Sequence, residues 1–211
     1  MDMHDLAERF TLVREMLEVL RILSDFRTCE DASIIDSIRS KKRLFLTGEG
    51  SSRIFPAKNV RRWALSRGLD ITPVTEGSRQ AGEYSLDDYV VFGASNSGRT
   101  RELIELFSGL KSGKHSAFYG LTAYPSTPLE ELSNRTFVLK CGAEEAVAAS
   151  KSVFEQALFY RHLVSNAAGI DFDTGNLPEA VGSALAADIP SGVVDAVAKA
   201  ETVYFAGRND G

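Results

Sequence analysis

Hydrophobic positions along the chain follow two spacings, which separate predicted strands from predicted helices. Short apolar runs predict buried strands at residues 43–47, 71–75, 88–94, 116–122 and 135–140. Between them, apolar residues at helical spacing predict helices at 51–67, 98–111 and 148–168, with short helices or turns at 76–82 and 126–132. Because parallel strands need crossover connections, this alternation predicts a three-layer α/β fold of flavodoxin-like kind, a five-stranded parallel sheet flanked by helices.

The segments outside this alternation show only helical patterns. Residues 3–23 carry a broad apolar stripe and residues 31–40 a weaker one, which predicts an N-terminal helical extension at 1–40 before a main domain at 41–169. Two Ala-rich segments, 178–187 and 191–200, predict a helical linker at 170–201. The apolar run 202–206 then predicts a new strand, and we expect residues 202–211 to begin a second, truncated domain.

Composition narrows the kinds of partner. The net charge is −5, which disfavours nucleic acid and anionic membranes as partners. The N-terminus does not resemble a signal peptide and no apolar run is long enough to cross a membrane, so we expect a cytoplasmic protein. Cys29 and Cys141 stand alone and are expected to be free thiols. The three histidines show no metal-ligand spacing, so we expect no metal and no cofactor.

The most informative motif follows the third predicted strand. Ser95, Asn96, Ser97 and Thr100 lie between this strand and the helix that begins near residue 98. A strand-to-helix turn directs backbone N–H groups and the positive end of a helix dipole at one point, which is typical of phosphate binding. The motif lacks acid–base and metal-ligand residues, so we expect it to hold a phosphate rather than to break a bond.

Two nucleotide-binding interpretations fit the sequence less well. The segment Gly93 to Thr100 resembles a P-loop, but Arg99 replaces the lysine and the later predicted strands do not end in Asp. The first loop contains Gly48 and Gly50 in the spacing of a dinucleotide fold, although Glu76 remains available for a ribose. Arg53 occupies the third small-residue position there, and its bulk would obstruct helix-to-strand packing.

Two further loops complete the predicted site. The first contains Glu49, Gly50, Ser51 and Ser52, whose hydroxyls and exposed backbone suit a polyol or a phosphate. Arg53, Lys58, Arg61 and Arg62 are expected on the solvent face of the following helix, with Arg53 also placed to contact an anion. The third loop spans 142–151, where small residues allow close approach of a ligand and Glu144 is expected either to bind sugar hydroxyls or to cap the next helix.

Together, these three loops resemble the SIS (sugar isomerase) domain family over residues 40–168. The similarity is greatest to the first SIS half of the isomerase part of glucosamine-6-phosphate synthase and to related paired-SIS sugar-phosphate isomerases and deaminases. The resemblance implies that Ser95, Asn96, Ser97 and Thr100 hold the phosphate. It also implies that Glu49 to Ser52 lie beside the sugar and that Val147 and Ala149 line its far side.

The resemblance further implies binding of a hexose or amino-sugar 6-phosphate by a homodimer, within carbohydrate metabolism. Isomerase chemistry needs a carboxylate base, and Glu144 and Glu145 in the third loop are the candidates for it. In the synthase-like pattern the base and its neighbours lie beyond the point that matches residue 211, so we expect binding without enzyme-like turnover. The alternative is a non-catalytic sugar-phosphate sensor. Asn96 and Arg99 replace the family's Gln and Glu, which leaves the identity of the sugar open.

Overall fold

The computed structural model describes residues 3–27 and 31–204, and its centre is a fully parallel five-stranded sheet. The strands are β1 (Arg43–Gly48), β2 (Thr72–Gly77), β3 (Val90–Ala94), β4 (Phe118–Thr122) and β5 (Arg135–Val138). Their spatial order is β2-β1-β3-β4-β5, with every neighbouring pair parallel. The predicted fold class is therefore confirmed, and the chain reverses its direction of travel across the sheet between β1 and β3.

The described residues contain ten helices. Some connect the strands of the sheet, and others precede the first strand or follow the last one along the chain. The helices are α1 (Met3–Arg9), α2 (Thr11–Asp25), α3 (Ala32–Lys41), α4 (Ser51–Ser66), α5 (Ser78–Ala81), α6 (Arg101–Ser112), α7 (Pro128–Leu132), α8 (Lys151–Ala167), α9 (Leu177–Leu185) and α10 (Ser191–Lys199). Extended backbone at Phe10 separates α1 from α2, where the sequence predicted one helix.

Two apolar cores form on the two faces of the sheet. On one face, α3, α4 and α8 pack on strand residues such as Leu44, Phe92 and Leu121. On the other, α5, α6 and α7 pack around Phe45, Val91 and Phe118. The central strands β3 and β4 are buried along their whole length because both faces of the sheet are covered there.

Segments beyond the sheet differ in how firmly they are packed. Helix α2 is anchored by Val19, Ile22 and Leu23, which are buried, and it contacts α8 and α9. Helices α9 and α10 contain no buried residue. The strand predicted at 202–206 is absent over residues 202–204, which are irregular, and residues 205 and 206 lie outside the described part of the chain.

Candidate functional site

The three loops predicted to bind a ligand all leave the carboxyl edge of the sheet. They follow β1, β3 and β5, and β1 and β3 are adjacent strands at the point where the strand order reverses. Ligands of open parallel sheets bind in the crevice at such a switch point. Gly48 allows the first two loops to lie in close contact, because a Cβ atom at this position would lie 2.5 Å from the carbonyl oxygen of Ala94. The φ of Gly48 is +152°.

The loop after β3 forms a tight turn that leads into α6. Ser95 is buried and its hydroxyl lies 2.7 Å from that of Thr100, while Ser97 is exposed and its hydroxyl accepts the N–H of Arg99 at 3.3 Å. Gly98 has a φ of +64° and packs against Thr127. Thr100 precedes α6 but its side chain does not cap the first turn, so the N–H groups there remain available to an anion.

The loop after β1 leads into α4 in the same way. Gly50 precedes the helix with a φ of +57°, and Ser51 and Ser52 are half-buried in its first turn. Glu49 turns toward β2, where its carboxylate accepts the N–H of Ser78 at 2.8 Å. The Glu49 carboxylate is therefore already bonded to the segment that follows β2.

Glu144 links the second and third loops. Its carboxylate accepts the side-chain amide of Asn96 at 3.1 Å and the backbone N–H groups of Ser150 and Ser152 at 2.8 and 3.3 Å. It also accepts the hydroxyl of Ser152. Both oxygens are thus occupied at the start of α8, so this acid must release a bond before it can take a proton from a substrate.

The other residues of the third loop are more open to solvent. Glu145 forms an exposed ion pair with Arg14 at 2.9 Å, Val147 is fully exposed and Ala149 is half-buried. Nothing in this arrangement places Glu145 in the crevice. The role of Glu145 as a base remains a prediction. The role of Val147 and Ala149 in lining the sugar also remains a prediction.

Helix α2 holds the third loop from behind, which the sequence did not indicate. Glu15 is 1% exposed and accepts the backbone N–H groups of Glu145 and Ala146 at 2.6 and 3.4 Å. Lys151 is also buried and donates to Glu18 and to the carbonyl of Ala143 at 2.7 and 2.8 Å. The contact between Glu15 and Glu145 joins positions 130 residues apart, so no local spacing pattern in the sequence could predict it.

Arg53 does not lie on the solvent face predicted for it. It shares a helical stripe with Ala57, Val60 and Ala64, all of which are buried in the core beneath α4. Its Nε atom is buried without a hydrogen-bond partner. The reason is periodicity: residues four, seven and eleven positions apart lie on one helix face, and this face packs on the sheet and α8.

Of the two cysteines expected to be free thiols, Cys141 is free and buried, and Cys29 lies outside the described residues. Burial raises the pKa of the Cys141 thiol to about 12, which disfavours the thiolate at neutral pH. His115 is buried, with one ring nitrogen 2.9 Å from the Leu86 carbonyl oxygen. Within residues 3–27 and 31–204, no three His, Cys, Asp or Glu side chains are grouped to hold a metal, and no helix is both long and apolar enough to cross a membrane.

Comparison with known proteins gives structural matches only. No protein-family model and no curated protein sequence matches the chain. A protein of Silicibacter pomeroyi assigned as a phosphosugar isomerase superimposes with a TM-score of 0.67 at 22% identity, over 88% of this chain and 60% of that one. The C-terminal domain of glucosamine-fructose-6-phosphate aminotransferase from Francisella tularensis superimposes with a TM-score of 0.60 at 16% identity. The match covers 84% of this chain and 54% of that one.

A third similar structure is an Escherichia coli protein solved in complex with a sugar phosphate. It superimposes with a TM-score of 0.58 at 19% identity, over 80% of this chain and 93% of that one. The chain thus spans little more than half of the first two structures but nearly the whole of the third. Strand order, helix placement and these matches show that the chain has the fold of the SIS-type sugar isomerase domains.

Proposed function

We propose that this chain binds a sugar phosphate, a hexose or amino-sugar 6-phosphate, in the crevice at the carboxyl edge of β1 and β3. The observation that carries the proposal is the turn from Ser95 to Thr100, which combines clustered hydroxyls with the uncapped first turn of α6. A phosphate there would be bound by neutral donors and a helix dipole, as at many helix N-termini. The sugar-phosphate complex of a protein with the same fold supports this class of ligand.

The sugar would extend from this phosphate toward the first and third loops. Glu49 to Ser52 offer backbone groups and hydroxyls on the α4 side. Val147 and Ala149, in the third loop, would line its far side, as the family resemblance implies. In a sugar-phosphate isomerase or deaminase this arrangement would orient C1 and C2 of an opened sugar, while a carboxylate moved the proton between them.

A second function, sugar-phosphate binding without catalysis, is favoured by the state of the two candidate bases. Glu144 caps α8 with both oxygens and Glu145 pairs with Arg14 at the surface. A module of this kind would report a sugar phosphate to a partner or hold it for a second domain. The two functions share one binding site and differ only in turnover.

Calorimetry with Ser97→Ala tests the shared site. Wild-type protein should bind glucosamine 6-phosphate or fructose 6-phosphate and bind the unphosphorylated sugars far more weakly. Loss of the Ser97 hydroxyl should weaken sugar-phosphate binding by roughly 10-fold, since a bond to a charged group contributes about 1.5–3 kcal/mol.

Two further variants calibrate that result. Ser108→Ala removes a hydroxyl on α6 that only bonds the carbonyl of Ile104, and it should leave affinity unchanged. Ser150→Ala, at the start of α8, should cost less than Ser97→Ala. A larger loss at Ser150 would move the phosphate to the third loop, and equal affinity for phosphorylated and free sugars would refute the proposal.

A further inference from the structure

Of the eleven buried side-chain polar atoms that have no partner within the described residues, three lie on the segments that carry the predicted site. They are Nε of Arg53, Oδ1 of Asn96 and Oγ of Ser150. Each belongs to a different one of the three segments that follow β1, β3 and β5. Burial of a polar atom without a hydrogen bond is unfavourable, so each of these atoms is open to a bond from a ligand at this edge of the sheet.

Arg53 differs from the other two because it carries charge. It stands in the first turn of α4 on the stripe that continues through Ala57, Val60 and Ala64 toward the core. Side chains in a helix tilt toward its N-terminus, so from this stripe Arg53 extends over the carboxyl edge of the sheet. Within the described part of the chain, its Nε–H is buried and has no acceptor.

The remaining cations near this edge are already paired or point outward. Lys151 is buried but donates to Glu18 and to the Ala143 carbonyl. Arg99 is exposed on the turn before α6. The hydroxyls and N–H groups of the Ser95–Thr100 turn are neutral. They can donate hydrogen bonds to phosphate oxygens, but they do not neutralise the negative charge of the phosphate.

We propose that Arg53 supplies the positive charge that selects a doubly charged phosphate monoester over singly charged and neutral ligands in this crevice. The inference rests on the proposed sugar-phosphate site and adds a specificity-determining residue to it. A planar guanidinium offers two parallel N–H donors to two phosphate oxygens, including the buried Nε–H that now has no acceptor. Close contact between Gly48 and Ala94 joins the Arg53 side of the crevice to the Ser95–Thr100 turn.

The test compares Arg53→Gln and Arg53→Lys with Arg61→Gln, which removes a charge from the outer face of the same helix. Titration calorimetry uses glucosamine 6-phosphate, glucosamine 6-sulfate and inorganic phosphate as probes. Arg53→Gln should weaken binding of the phosphate ester on the order of 10- to 100-fold and Arg53→Lys less, while Arg61→Gln binds like the wild type.

Two measurements separate charge recognition from a packing role. Wild-type affinity for the phosphate ester should rise as pH increases through about 6, where the second ionisation of a phosphate monoester occurs, and this rise should be absent in Arg53→Gln. The sulfate ester has no such ionisation, so its affinity should show no such rise and should fall less in Arg53→Gln. Thermal unfolding checks that each variant is folded. If Arg53→Gln does not fold, Arg53→Lys replaces it in the comparison with the wild type.

The outcomes also separate this inference from the proposed function. If wild-type protein binds the sugar phosphate and Arg53→Gln binds it within twofold, the role of Arg53 is wrong and the site stands. Equal losses for the phosphate and sulfate esters would also overturn charge selection. If wild-type protein binds none of the three probes, the proposed function itself fails and the inference falls with it.

Discussion

Glu144 is the residue on which binding and catalysis make different demands. As the cap of α8 it must stay bonded to the N–H groups of Ser150 and Ser152. As a base it would have to face the sugar with a free oxygen. A carboxylate cannot fill both roles in one geometry, so its bonding partners bear directly on the function.

Glu144→Gln should therefore destabilise the protein. The amide keeps one acceptor but turns an NH2 group toward N–H donors, so loss of about 1–2 kcal/mol in the free energy of unfolding is expected. Denaturant unfolding measures it. Glu145→Gln is the matched control, and loss of its exposed ion pair with Arg14 should cost roughly 0–1 kcal/mol. Equal stability of the two variants would contradict the capping role.

At the scale of elements, strand and helix ends decide how close the site loops lie. Gly48 ends β1 with a φ of +152°, in a conformation that favours glycine, and any Cβ there would meet the backbone carbonyl of Ala94 at 2.5 Å. A backbone group cannot swing away as a flexible side chain does. The contact between the first two loops consequently depends on a single missing methyl group.

Gly48→Ala should destabilise the fold by about 1–3 kcal/mol and also weaken sugar-phosphate binding, because β1 and β3 must separate where the crevice opens. Gly109→Ala is the control, since a Cβ at this position in α6 meets nothing within 4 Å. It should stabilise the protein by about 0.5–1 kcal/mol. Unfolding and calorimetry on both variants check this, and an unperturbed Gly48→Ala would show that the strands tolerate separation.

Order and type of the elements followed from the sequence because local periodicity encodes them. Every predicted strand of the sheet and every predicted helix is present, with ends displaced by a few residues, apart from the split at Phe10. What periodicity does not encode is contact between distant segments. Glu15 of α2 therefore went unnoticed, although it holds the third loop, and Arg53 was assigned to the wrong face of α4.

At the scale of the whole molecule, apolar surface remains outside the two cores. On α2 the predicted stripe divides, with Val19 and Leu23 buried while Phe10, Leu12 and Met16 are exposed. Helix α10 likewise leaves apolar side chains exposed, among them Val193, Val194 and Val197. Surface of this kind is consistent with association, and the homodimer expected from the family resemblance stays a prediction.

Binding and turnover make different demands on a site, and we expect the chain alone to bind a sugar phosphate without converting it at an enzyme-like rate. A phosphate turn anchors the substrate, but acceleration of proton transfer requires a placed base, which contributes about 10²- to 10⁴-fold. Glu144 is occupied by Asn96 and the start of α8, and Glu145 is at the surface.

A coupled assay of the purified chain with fructose 6-phosphate and glucosamine 6-phosphate decides this point. Turnover near the typical enzyme rate of about 10 s⁻¹ would contradict the prediction and would point to Glu144 or Glu145 as the base. Glu144 could act as that base only if it left its cap in the bound state. In that case Glu144→Gln should abolish turnover while leaving sugar-phosphate affinity largely intact. If instead wild-type protein binds without turnover, Glu144→Gln should act mainly on stability, because the carboxylate then serves only as an acceptor for α8 and Asn96.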